Sequence, residues 1–312
     1  MAVIDQRSEL VFLYDIKDAN PNGDPLDANK PRIDEETGIN LVTDVRLKRT
    51  IRDYLFDYKG FNGEDGKDIF VREIKNDDKS IQDGKERAKD FKEDPKKVLE
   101  QCIDVRMFGG VIPLTGDSIT YTGPVQFQMG RSLHKVELNY IKGTGAFASG
   151  AGKSKKTFRE EYVVPYSLVG FYGIINENAA QSTELTKDDV ELLLEGIWKG
   201  TKNLITRSKV GQTPRLLLKV NYSEENYFIG ELKNYIKLET GLREEEIRDV
   251  SDYNLDISEL LAVIEDNFDK IESVEYKVNP RVEFVSDSKK INLSNLDLFE
   301  ELDTVSYTHL RA

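Results

Sequence analysis

The residues best equipped for chemistry lie in one stretch near the start of the chain. A turn-rich run, Asp18-Ala19-Asn20-Pro21-Asn22-Gly23-Asp24-Pro25, leads through Asn40-Leu41-Val42 into a segment carrying Arg46, Lys48, Arg49 and Arg52. At about 100° per residue, Leu47, Ile51, Tyr54, Leu55 and Tyr58 fall on one arc and the four cations spread over the rest. The spacing predicts a helix with one packing face and one cationic face, started by Thr43 or Asp44. Loop amides, the positive end of the helix dipole and the Arg/Lys side chains would then converge on a spot suited to a phosphate chain. A solvated helix face is the plainer reading of the same pattern.

Two further stretches are cationic. Between Arg131 and Arg159 stand Arg131, Lys135, Lys142, Lys153, Lys155, Lys156 and Arg159 against Glu137 alone, and between Lys199 and Lys219 stand Lys199, Lys202, Arg207, Lys209, Arg215 and Lys219 with no acid. The first is rich in glycine and contains Phe147 and Phe158, as a basic hairpin or loop that neutralises phosphates and stacks on bases would be. An exposed flexible loop is the alternative.

Other motifs fail on inspection. Asp18-x-Asn20-x-Asn22-Gly23-Asp24 matches the first half of a calcium loop, but Asn29 stands where a bidentate Glu is required, and Pro21 and Pro25 stiffen the turn. Gly152-Lys153-Ser154 ends like a nucleotide-binding P-loop, but Phe147 replaces its first glycine. His134 has no second histidine outside the last eight residues, Cys102 is the single cysteine, and no Ser/His/Asp or Cys/His set forms. No catalytic residue, metal or cofactor is assigned, and the expectation is a protein that is not an enzyme.

These stretches must be positioned by a scaffold. Residues 9–16 are apolar on nearly both faces, as a central strand is. Strand patterns recur at 118–129 (broken by Gly123-Pro124), 161–176 and 215–222, and a helix opens at Thr186 and Asp189 with Val190, Leu193, Leu194, Ile197, Trp198, Leu204 and Ile205 in period 3.6. Stripped of insertions the order is strand, helix, strand, strand, helix, strand. That is the split unit of an α+β, ferredoxin-like (RRM-like) core. Residues 57–104 read as a partly helical surface insertion, with Asp94-Pro95 opening a short helix and a loop from Val105. Residues 130–159 read as a long excursion between strands. Beyond Tyr222, helical patterns at 229–238 and 258–268 precede a strand at 273–285.

The net charge is -13, but residues 223–303 carry 22 acids and 9 bases, so this acidic extension holds the whole excess and the rest is near neutral. No apolar run approaches the ~20 residues of a membrane span, and with no signal peptide evident a cytoplasmic location is expected. Residues 305–312 resemble a translated sequencing-adapter scar and are set aside from the fold.

Together, the 18–25 loop, Thr43-Asp-Val-Arg-Leu-Lys-Arg-Thr-Ile-Arg-Asp-Tyr54, Asp104-Val-Arg-Met-Phe-Gly-Gly110 and Gly123-Pro-Val-Gln-Phe-Gln128 resemble the seventh CRISPR-associated protein family of the RAMP superfamily, most of all its type I-B branch. The resemblance implies a non-catalytic backbone subunit of a Cascade surveillance complex, polymerising along crRNA with other copies of itself. It would support guide pairing with target DNA and contact other Cascade subunits, and meet a recruited nuclease-helicase indirectly. It further implies an RRM-like palm (1–222) with a finger-like insertion (57–104), a thumb (130–159) and an acidic C-terminal extension (223–304) packed on the palm. Arg46, Lys48, Arg49 and Arg52 would hold crRNA phosphates with Asn20 and Asn22 nearby. Lys153, Lys155, Lys156 and Arg159 would belong to the thumb, Gln126, Gln128 and Ser132 would bond backbone or sugar, and Arg207, Lys209 and Arg215 would form a third strip. The rivals are a RAMP endoribonuclease, using Asp15, Asp18 or Asp24, and a ferredoxin-like interaction module.

Overall fold

In the computed structural model, residues 2–148 and 156–302 are described, with side chains described outside 144–159. The sheet is built on an opening strand, Ser8–Ala19, flanked antiparallel by the long strand Lys156–Ile175 and the closing strand Thr213–Tyr222. Phe12 lies opposite Phe171 on one side and Leu217 on the other. Val125–Phe127 and Gly130–Lys135 pair with the far edge of the long strand. The order closing, opening, long, second is the ferredoxin-like arrangement expected, within an 11-stranded sheet.

Alternation along the opening strand explains its double-faced apolarity. Leu10, Phe12 and Tyr14 enter one core with Leu47, Ile51 and Leu55 of the helix Asp44–Lys59 and Leu193 and Ile197 of a second helix. Val11 and Leu13 enter another, built with Tyr253, Leu255, Leu260 and Ile264 of the C-terminal extension. Each face of the sheet is thus covered by a different part of the chain.

The two helices approach closely at two glycines. The second begins at Lys187, where Thr186 Oγ1 accepts from Asp189 N and Asp189 Oδ2 accepts from Thr186 N, the expected capping box. It passes through a π turn at Gly196–Gly200. A Cβ on Gly196 would stand 3.0 Å from Ile51 Cγ2, and one on Gly200 3.0 Å from Tyr54 Cβ and 3.1 Å from the Thr50 carbonyl.

Several expected elements are redrawn. The strand at 118–129 divides: Asp117–Thr122 pairs with Gly109–Leu114 in a separate hairpin, and only Val125–Phe127 joins the main sheet. The cause is steric, because Gly123 sits against the Phe108 and Gly109 backbone, where a Cβ would lie 2.0 Å from Phe108 C. The excursion at 130–159 also divides. Gly130–Lys135 is a sheet strand, and the hairpin proper is Asn139–Ala148 against the first part of the long strand, up to Val163. The loop expected from Val105 is a helix, Ile103–Phe108, ended by Gly109 at φ 69°. No helix spans 229–238; Gly230 (φ 95°) and Glu231 (φ 51°) turn the chain into a short 3-10 segment, Leu232–Tyr235, and then a strand, Lys237–Glu239. The helix Ser258–Asp266 and the strand Ile271–Val278 follow, the latter pairing with the closing strand. Residues 57–104 form helices Gly84–Asp90 and Pro95–Gln101, capped by Asp83 and Asp94, around a small core of Phe70, Phe91, Val98 and Cys102.

Gly200→Leu should therefore force the helices apart and cost about 1–3 kcal/mol in chemical denaturation. An unchanged midpoint would show that this contact does not limit the fold.

Candidate nucleic-acid interface

The turn-rich loop is held in one shape by its own polar groups. Asn22 Oδ1 accepts from both Thr43 N and Thr43 Oγ1 at 2.9 Å, and Thr43 Oγ1 accepts from Arg46 N, capping the basic helix as its sequence predicts. Asn20 is 3% exposed; its Nδ2 donates to the Asn29 carbonyl at 2.7 Å and its backbone N–H to the Ser208 carbonyl at 2.9 Å. Asp24 takes an ion pair from Arg32 at 2.8 Å and a hydrogen bond from Leu26 N. Gly23 leaves no room for a side chain, because a Cβ there would lie 2.8 Å from the Asn29 backbone carbonyl oxygen as well as against the Asn29 amide.

Four predicted site residues come together here: Asn20, Asn22, Arg46 and Lys209. Asn20 is bonded to Ser208, the neighbour of Lys209, and Asn22 to the cap of the helix that carries Arg46. Burial pulls the pKa of both cations below the ordinary values, and the positive charge of Arg46 lowers that of Lys209 further. Arg46 donates to Thr50 Oγ1 at 3.0 Å and has Asp53 at 3.8 Å, while Lys209 donates to the Ser208 hydroxyl at 3.3 Å. Two partly desolvated cations, with the Arg46 guanidinium lying along the helix beside Thr50 and Asp53, make this a candidate anion site.

The other helix cations differ. Arg49 is 56% exposed and pairs with Asp53 at 2.5 Å, on the rim of a cleft of about 540 Å³ lined by Tyr54, Phe56, Tyr58 and Ile205. Lys48 contacts Asp44 at 3.1 Å and Gln126 Oε1 at 3.0 Å, with its ammonium over the Phe108 ring. Arg52 is 12% exposed and bonded at 2.8 Å to Asp104, a carboxylate fully buried that also accepts from Phe70 N and Val71 N. Arg52 thus fastens the helix to the 57–104 insertion.

Two expected contacts are spent inside the protein. Ser132 accepts from Asn40 N and donates to the His134 carbonyl. Arg215 is buried against Asp15 at 2.7 Å and Asn279 Oδ1 at 3.1 Å, with Tyr166 donating to the same carboxylate. Both lie on the sheet, where a polar residue in a strand reads alike whether it faces a ligand or a buried partner. Gln128 is exposed, and Arg207 reaches Glu161 near the foot of the hairpin at 2.5 Å. Lys156 and Arg159 are strand residues of the hairpin, with Arg159 opposite Gly143; Lys153 and Lys155 lie outside the described residues.

Sequence reasoning passed over Asp53 and Asp104 as partners of the helix cations. Asp53 had a signal, its i+4 spacing from Arg49; Asp104, 52 residues from Arg52, had none. His134 is structural: burial lowers its pKa, Nε2 accepts from Leu168 N, and Nδ1 meets the Lys135 carbonyl. Among the described residues no group of three or more His, Cys, Asp or Glu is placed to hold a metal, and no helix is long and apolar enough to cross a membrane.

The scaffold is shared with subunits of known assemblies. A chain from a CRISPR RNA-guided surveillance complex, pre-nicking, superposes with a TM-score of 0.54 at 10% identity, covering 90% of this chain and 96% of that one. A chain from a second CRISPR RNA-guided surveillance complex gives 0.54 at 13% identity, covering 96% and 95%. These likenesses show the fold class, an α+β core. The family model for CRISPR-associated protein Cas7 matches residues 6–258, and the CRISPR-associated protein Cas7 of Haloferax volcanii is 35% identical over 307 residues, 89% of this chain and 88% of that protein. The chain belongs to the Cas7 family.

Arg52 and Arg49 should separate in stability. Arg52→Ala leaves Asp104 buried and unpaired and should cost about 3–5 kcal/mol. Arg49→Ala removes an exposed pair and should stay within about 0.5 kcal/mol. Thermal and chemical denaturation of the two variants measure this directly; equal losses would refute the division of roles.

Proposed function

We propose that this chain is a non-catalytic backbone subunit of a CRISPR RNA-guided surveillance complex of the type I-B branch, acting in the cytoplasm. Copies polymerise along crRNA through contacts to phosphate and sugar, and the assembly holds the guide for pairing with target DNA beside other Cascade subunits. The observation that carries this reading is the convergence of two partly desolvated cations, Arg46 of the basic helix and Lys209 of the loop bonded to Asn20. Bringing two like charges together out of water is unfavourable; Asp53, 3.8 Å from Arg46 and shared with Arg49, offsets this in part, and a phosphate supplies further negative charge without base identity. Recognition by such a site is sequence-tolerant, leaving specificity to guide pairing.

The remaining residues take graded parts. Arg49, Lys48 and Gln126 extend the cationic face, and Gln128 and Arg207 flank it. The hairpin at 139–163, with Lys156 and Arg159, forms the thumb that spaces the strand, and residues 57–104 the finger-like insertion. The acidic extension packs on the opposite face of the sheet, which keeps its charge away from the site. The aspartates an RNA-cleaving relative would use are occupied in two cases, since Asp15 is buried against Arg215 and Asp24 is held by Arg32.

The double variant Arg46→Ala/Lys209→Ala should weaken binding of unrelated single-stranded RNAs alike. It should also flatten the dependence of log K on log salt by about 0.7 for each lost phosphate contact. Fluorescence anisotropy across a salt series measures both, and an unchanged slope would remove the pair from the interface.

A further inference from the structure

Two buried polar atoms, one in the turn-rich loop and one on the basic helix it leads into, find no partner among the described residues. Asn20 Oδ1 is an acceptor without a donor, and Arg46 Nε is a donor without an acceptor. The Asn20 amide cannot be turned to cure this, because its Nδ2 is committed to the Asn29 carbonyl. Turning it would set two oxygens face to face. Buried polar groups are almost always paired, and one left alone costs free energy that a ligand can recover.

A phosphate satisfies only half of this demand. Its ionised oxygens accept from Arg46 Nε and attract Lys209, but they carry no proton for Asn20 Oδ1. What Asn20 Oδ1 lacks is a neutral donor. Ribose supplies one, since its 2′-hydroxyl lies next to the 3′-phosphate on the same sugar, and deoxyribose has none. Asn20 stands between the two parts of the site, bonded through its backbone to Ser208 beside Lys209 and two residues from Asn22, which bonds the helix cap.

We propose that Asn20 is a specificity residue that distinguishes RNA from DNA by accepting a hydrogen bond from a ribose 2′-hydroxyl while Arg46 and Lys209 hold the adjoining phosphate. Both atoms are closed off from solvent in the unliganded chain, so the side chains over Asn20 must move aside as the strand binds. The inference rests on the functional reading above and adds to it a discrimination that charge alone cannot make.

The test alters the ligand before the protein. The full chain is titrated by fluorescence anisotropy with one sequence prepared as RNA, as 2′-fluoro RNA and as single-stranded DNA. The 2′-fluoro sugar keeps the ribose pucker and lacks the donor. RNA should bind on the order of tenfold more tightly than either of the others. Asn20→Leu, checked by circular dichroism and melting temperature, should bring RNA and 2′-fluoro RNA to the same affinity. Equal binding of RNA and 2′-fluoro RNA by the native chain would overturn the assignment while leaving the backbone role intact, even if DNA bound more weakly, because sugar pucker would then account for the difference. No binding of any of the three would overturn both. Should Asn20→Leu fail to fold, the comparison of RNA with 2′-fluoro RNA decides alone.

Discussion

The fold depends on one strand being dry on both sides. Phe12 and Leu13 are both essentially inaccessible though they point in opposite directions, so the sheet is unstable until each face is covered. Burying a side chain of this size contributes about 1.5–3 kcal/mol, and the opening strand supplies five in succession, Leu10 to Tyr14, alternating between two cores. The basic helix is therefore fixed by its apolar arc, and its cations are placed as a by-product of packing. The same demand recruits the acidic extension to the far face.

Charge placement follows from that layering. Arg46 lies along the helix toward Thr50 and near Lys209, Arg49 faces solvent, and Arg52 faces the insertion, although the three lie within seven residues of one another. Rotation about the helix axis distributes them among a ligand site, an open rim and an internal ion pair. A helix can thus look uniformly cationic in sequence and serve three purposes in space.

The scaffold was legible where local pattern determined it. The periodicity of the two helices, the Thr43 cap, the Thr186 box and the doubly apolar strand needed no tertiary information. What escaped was set by distant partners. Asp104 takes Arg52 and Asp15 takes Arg215 across 52 and 200 residues, which turns two apparent phosphate ligands into structural ones. The strand at 118–129 was divided by close backbone packing at Gly123, and the helix at 229–238 was lost to two positive-φ residues. The convergence of Asn20 with Lys209 was equally hidden, because the two belong to separate cationic stretches and meet only through the Ser208 carbonyl.

The long strand, Lys156–Ile175, is both the wall of the core and one arm of the hairpin. Its inner part is locked in register against the opening strand from Val164 onward, while Phe158 to Val163 continue outward in regular register against the other arm and the ladder shifts between Lys156 and Phe158. Side chains along a strand alternate between faces, so the arm can change length only in certain steps without altering what it presents. Adding or removing residues in pairs, one on each arm, shifts the tip by about 3.3 Å per residue along the strand and exchanges its two faces when the step is odd. The reach of the hairpin is therefore a discrete quantity, and related chains with hairpins of other lengths should differ by even numbers of residues per arm wherever the same face must meet the strand they grip.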